Sequence, residues 1–213
     1  MTYPSFAVIG TAGRREDKIY LTQAHYSRMV NATYKLINHL NINRETTKFY
    51  SGGAAWADHL LITLSLQGIL NPENITIYLP SHFSDQGHFV NDKEEIGFIE
   101  KTTQHYHRLF KDVTGVDGIK DLVKIRSLGA VFISGNSNFH ARNSLVAKAV
   151  SPDGVLLAFT FGQDNYVQVP WSMREFTSDI MAQEAGLKDG GTADTWNKCK
   201  AKAKWHCKIG RDI

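Results

Sequence analysis

The sequence predicts an α/β protein of Rossmann-like type, with a mainly parallel sheet covered by helices on both faces. Three observations predict it. Short apolar runs alternate with segments of helical periodicity, and several of the runs end in glycine-rich turns. The 213 residues are 42% hydrophobic, enough to fill one sizeable core.

Residues 5 to 9, Ser-Phe-Ala-Val-Ile, form a buried strand ending in the tight turn Gly10-Thr11-Ala12-Gly13-Arg14-Arg15. From Thr22 to Leu40, Ala24, Met29, Ala32, Leu36, Ile37 and Leu40 recur at helical spacing, with Thr22 placed as the cap of the first crossover helix. Lys48-Phe49-Tyr50 makes a second strand. It runs into Ser51 to His59, after which Leu60, Leu61, Leu64 and Leu66 continue as a helix. Residues 75 to 79 form a third strand stopped by Pro80, and the polar stretch 81 to 92 suits a loop over the sheet edge. Residues 93 to 111 read as helical and 114 to 118 as turn, while 130 to 133 fit either a short strand or the end of a helix.

Residues 143 to 150 read as a helix and 155 to 161 as a buried strand. Gly162 opens a variable loop in which 173 to 186 suit an inserted helix. Finally, Gly190 and Gly191 stand before a helix expected from Thr195 to about Lys208. With no low-complexity linker, the chain reads as one domain over 1 to 213.

Bulk properties exclude several classes. No run of 18 or more apolar residues is present, so no membrane partner is expected, and the start enters a strand directly, which favours a cytoplasmic protein. Cys199 and Cys207 lack the spacing of a disulfide framework or a metal pair, and neither a metal nor a cofactor is expected. Residues 188 to 213 carry +4, which reads as a lysine-rich, solvated helix face or as a surface for nucleic acid. His82, His88, His105, His107 and His140 show no paired metal spacing and read mostly as surface or loop residues.

In a parallel sheet the strand ends and helix starts gather on one edge, so the loops at 10 to 15, 51 to 59 and 189 to 195 are expected to converge. Glycines Gly10, Gly13, Gly52, Gly53, Gly190 and Gly191, with Ala12 and Ala54, let backbone approach a ligand, and amides at a helix start attract phosphate. Thr11, Ser51, Thr192 and Thr195 add hydroxyls, and Arg14 or Arg15 a bidentate cation. GTAGRR is neither GxGxxG nor GxxxxGK[ST], which argues against a dinucleotide-dependent dehydrogenase and against an NTPase.

These motifs resemble the SLOG superfamily, which includes the Lonely guy phosphoribohydrolases, the DNA-processing protein DprA and nucleotide-sensing domains. VIGTAGR is similar to the family's first strand and loop, SGGAAWADHL to its SGGAxGxD motif with Trp56 where glycine is common, and VLLAFTFG with GGTADTW to its late strand and turn. The resemblance implies a nucleotide-derived ligand at the C-terminal strand edge, often in a homodimer. It leaves 81 to 128 and 163 to 187 as insertions. The phosphoribohydrolases carry PGGxGTxxE, with the glutamate acting in N-glycosidic cleavage; here Asp189, Asp194 and Asn197 replace the proline, threonine and glutamate.

The candidate carboxylates are therefore Asp58 and Asp194, able to stabilise a cationic ribose. Asp58 also suits a helix first turn, and Asp194 a helix cap. Arg142 and Asn143 are candidates for phosphate or sugar hydroxyls. Trp56 and His59 flank Asp58 and are candidates for stacking on a base, although core packing is the somewhat stronger reading for Trp56. The leading expectation is an N-glycosidase releasing a base from a ribose 5′-phosphate. The alternatives are a non-catalytic sensor or sponge for an ADP-ribose-like nucleotide and a single-stranded DNA binder.

Overall fold

The computed structural model describes residues 3–14, 17–134, 138–161 and 190–209. Arg15, Asp189, the expected helix at 173 to 186 and the insertion at 163 to 187 lie outside the described residues. The order is β1 (Ser5–Gly10), α1 (Asp17–Tyr20), α2 (Gln23–His39), β2 (Lys48–Ser51), a 3-10 turn (Trp56–His59), α3 (Leu60–Leu66), a second 3-10 turn (Pro72–Asn74) and β3 (Ile75–Tyr78). Then follow β4 (His82–Phe83), β5 (Phe89–Val90), α4 (Phe98–Thr114), α5 (Gly118–Ser127), β6 (Val131–Ile133), α6 (Phe139–Ala149), β7 (Val155–Thr160), α7 (Gly191–Lys198) and β8 (Ala203–Lys208).

Six strands form one parallel sheet in the order β6-β3-β2-β1-β7-β8. The architecture is α/β and Rossmann-like. β1 and β7 run as unbroken apolar segments because a parallel sheet is covered on both faces; every β7 residue is buried. One face carries Phe6, Val8, Phe49, Ile77 and Leu157 against α2, α3, α4 and α5. The other carries Ala7, Ile9, Leu156 and Ala158 against Val146 and Ala147 of α6, Cys199 and the flank of α7.

Local signals explain most boundaries. Thr22 caps α2, its hydroxyl accepting from the His25 amide while the His25 ring accepts from the Thr22 amide. Residues 130 to 133 resolve as a strand, since Thr76, Ile77 and Tyr78 offer a ladder to Val131, Phe132 and Ile133. The stretch read as a loop at 81 to 92 contains the two-residue strands of a hairpin, β4 paired antiparallel with β5. The helix expected at 93 to 111 begins at Phe98 and ends at Gly115, whose left-handed backbone closes it.

The C-terminus is a correction. In place of one helix from Thr195 to Lys208, α7 ends at Lys198 and β8 adds to the sheet beside β7, with Leu157 opposite Trp205 and Phe159 opposite Cys207. Cys199, Ala201, Ala203, Trp205 and Cys207 alternate with Lys200, Lys202 and Lys204, a period of two that suits a strand. The lysine-rich tail is thus not one solvated helix face. Among the described residues no helix is long and apolar enough to cross a membrane.

Candidate functional site

Sheet order reverses between β1 and β7: the chain steps from β1 outward through β2 and β3 to β6, then returns to the far side of β1. Such a switch point leaves a crevice at the carboxyl ends of the strands. Gly10 ends β1 there. A Cβ on it would meet the Phe159 carbonyl and the Ala57 methyl, so only glycine lets β1, β7 and the Trp56–His59 turn come together. The loops after β1 and β2 are joined by the Ala57 amide, which donates to the Thr11 carbonyl at 3.3 Å.

Several predicted ligand hydroxyls instead hold these loops. Thr11 donates to Asp17 at 2.7 Å and accepts from the Gly13 amide at 3.1 Å. Ser51 donates to the Asp58 carbonyl and accepts from the Gly53 amide at 3.1 Å. Thr195 donates to the Gly191 carbonyl one turn back at 2.9 Å. Their work is local, as serine and threonine in turns and helix starts commonly do.

The charged centre is Asp58 with Arg142. Both are buried, and Arg142 Nη1 donates to Asp58 Oδ2 at 2.9 Å and to the Gly52 carbonyl at 2.6 Å. Gly52 is required here, because a Cβ would run into both the guanidinium and the carboxylate. Burial pushes the Asp58 carboxyl up from its ordinary value, opposed by Arg142, by the Ala54 amide and, more weakly, by Arg14. Burial likewise pulls Arg142 down, and Asp58 opposes it. Arg142 remains the cation, since a guanidinium is not deprotonated in proteins.

Arg14 is the exposed partner of this centre. Its guanidinium lies 4.6 Å from the Phe139 ring at the start of α6 and 5.2 Å from the Tyr106 ring of α4. Among the described residues no carboxylate pairs with it. Asn143 Nδ2 donates to the Gly191 carbonyl at 3.2 Å and so ties α6 to the start of α7, where exposed Gly190 and Gly191 and half-buried Thr192 sit.

Other candidates are placed differently. His59 is fully buried, with Nε2 3.1 Å from Asp121 Oδ2 and its ring against Phe110, so it packs in the core and offers no face for a base. Trp56 is also buried, edge-on to Tyr26 and Phe110. Its φ of 63° is left-handed, a conformation that favours glycine. Asp194 sits in the first turn of α7, 2.7 Å from Lys198 one turn on, and Gly190, not Asp194, is the cap. Asn197 is exposed.

Three contributors escaped the sequence reading. Tyr106 and Phe139 hold Arg14 from distant elements, and nothing local marks them. His107 is buried, a correction to its reading as surface: Nε2 donates to the Gly53 carbonyl at 3.2 Å, and burial pulls its pKa down to about 3, with His59 adding to the effect. The spacing of Thr103, His107, Phe110 and Thr114 along the buried stripe of α4 was the available signal. Among the described residues no group of three or more His, Cys, Asp or Glu side chains could hold a metal ion, and Cys199 and Cys207 are buried free thiols.

No family model matches this chain, and no solved structure matches it. It is similar to an uncharacterized protein of Acanthamoeba polyphaga mimivirus, 28% identical over 200 residues that cover 93% of this chain and 92% of the viral one. The likeness therefore runs through nearly the full length of both chains.

Proposed function

We propose that the edge formed by the loops after β1 and β2 and the starts of α6 and α7 binds a phosphorylated, nucleotide-derived ligand and holds it without cleaving it. The observation that carries this reading is the charge balance at the switch point. Among the described residues two arginines meet one carboxylate there: Arg142 is committed to Asp58, and Arg14 stands exposed between Tyr106 and Phe139. An exposed guanidinium in a strand-end crevice presents forked donors to a phosphate. The SLOG-like motifs support the same ligand class.

Retention is favoured over hydrolysis by the state of the carboxylates. Asp58 is buried in its ion pair, Asp194 is held by Lys198, and Asn197 stands where the phosphoribohydrolase motif that this segment resembles carries glutamate. One observation favours N-glycosidic hydrolysis as the second reading: burial raises the Asp58 carboxyl, as it does in many catalytic acids.

The test is incubation with nucleoside monophosphates, NAD and ADP-ribose, followed by mass spectrometry of retained and released species. Intact ligand retained by the protein is the expected result. Free base and ribose phosphate, formed by the wild type and reduced by about 100-fold or more in Asp58→Asn, would replace retention with hydrolysis. Neither retention nor cleavage across the panel would remove the nucleotide reading.

A further inference from the structure

A second basic site lies on the opposite side of α4 from Arg14. Lys101, Gln104, His105 and Arg108 follow the spacing i, i+3, i+4, i+7, so they form one stripe along the helix. The stripe faces an open hollow of about 410 Å³ bordered by Gly87 and His88 of the β4–β5 turn and by Ile119 of α5. That volume falls within the range of small-ligand sites.

The charged side chains of the lining are all basic. Among the described residues it contains two fixed cations, two imidazoles and an amide, and no carboxylate. Among the described residues neither Lys101 nor Arg108 is in an ion pair. Arg108 Nη2 lies 3.1 Å from His105 Nδ1, and because guanidinium can only donate, Nδ1 accepts and the His105 Nε2–H is left as a further donor. Gln104 Nε2 is buried and has no acceptor among the described residues. Arg14 and Tyr106 are not part of this lining, so the site stands independently of the proposed function.

We propose that this hollow binds a linked phosphate anion of two or three units. Lys101 and Arg108 are seven residues apart, about 10.5 Å along the helix axis, which suits a chain of phosphates better than a single one. The Arg108 fork takes one phosphoryl group and the Lys101 ammonium another, with the exposed His105 ring between them.

The experiment uses pyrophosphate and tripolyphosphate as probes, followed by NMR of the Gln104 side-chain amide and the His88 and His105 rings. It is run in the wild type and in Arg14→Ala at constant ionic strength. The expected result is saturable shifts, stronger with tripolyphosphate than with inorganic phosphate, unchanged in Arg14→Ala and weakened at least about ten-fold in the double variant Lys101→Ala/Arg108→Ala. Lys101→Gln/Arg108→Gln serves if the alanine pair lowers the melting temperature. No saturation by about 10 mM, an equal response to chloride, or undiminished binding in the folded double variant would overturn the proposal. A response only to a single-stranded oligonucleotide would overturn it as well, in favour of a nucleic-acid surface.

Discussion

Arg14 and Trp56 show how a residue's surroundings decide what it does. Arg14 keeps its charge at the surface because two aromatic rings hold the guanidinium without neutralising it. Arg14→Ala is expected to weaken a phosphorylated ligand by about 1.5–3 kcal/mol, read by calorimetry, with the thermal midpoint unmoved. Unaltered affinity would return Arg14 to an ordinary surface role. Trp56 combines a strained left-handed backbone with buried rings on both sides. Trp56→Gly would recover about 1 kcal/mol of strain and forfeit about 3–5 kcal/mol of packing, so a net loss of about 2–4 kcal/mol in denaturant unfolding is expected. A more stable variant would mean that the backbone term dominates.

At the scale of elements, β8 and the β4–β5 hairpin were the hardest to read. The alternation of lysine with small or aromatic residues from Cys199 to Cys207 is a strand pattern, but the glycines before it and the helix-forming lysines suggested one long helix. As the last strand of the sheet among the described residues, β8 is expected to show slow exchange at every second amide across Ala203–Lys208, those facing β7, by NMR hydrogen exchange. Uniform protection across all six residues would restore the helix. α4 works in three directions: its buried stripe carries His107 to the Gly53 carbonyl, Tyr106 reaches Arg14, and the Lys101 to Arg108 stripe faces the open hollow beside the β4–β5 turn.

For the whole molecule, the placement of His107 makes stability depend on pH. The folded state keeps this imidazole neutral, with its pKa pulled to about 3 from an ordinary 6.5, while the unfolded chain binds a proton below 6.5. The folded pKa is the lower one for a cationic acid, so its contribution to stability is fully present above pH 6.5 and is lost as pH falls towards 3. Between pH 6.5 and 4.5 the loss from this group is about 2–3 kcal/mol. Urea unfolding at the two pH values should show that loss in the wild type and a flatter dependence in His107→Gln. Equal slopes in the two proteins would remove His107 as the cause.

The parallel sheet was legible because short apolar runs, helical spacing and glycine turns are local consequences of backbone geometry, and β1, β2, β3, β7 and α2 carry them. Gathering of the β1 and β2 loops and the start of α7 on one edge followed from the same alternation, since parallel strands send their ends the same way. Partner choice was not legible. That Asp58 meets Arg142 84 positions away, that Arg14 lies between Tyr106 and Phe139, and that His59 turns inward to Asp121 depend on which helices pack over the strand ends. Packing between distant segments leaves no periodic trace in the chain, so the sheet and its loops could be read from the order of residues, whereas the charge left free at the site arose only once α4 and α6 had closed around it.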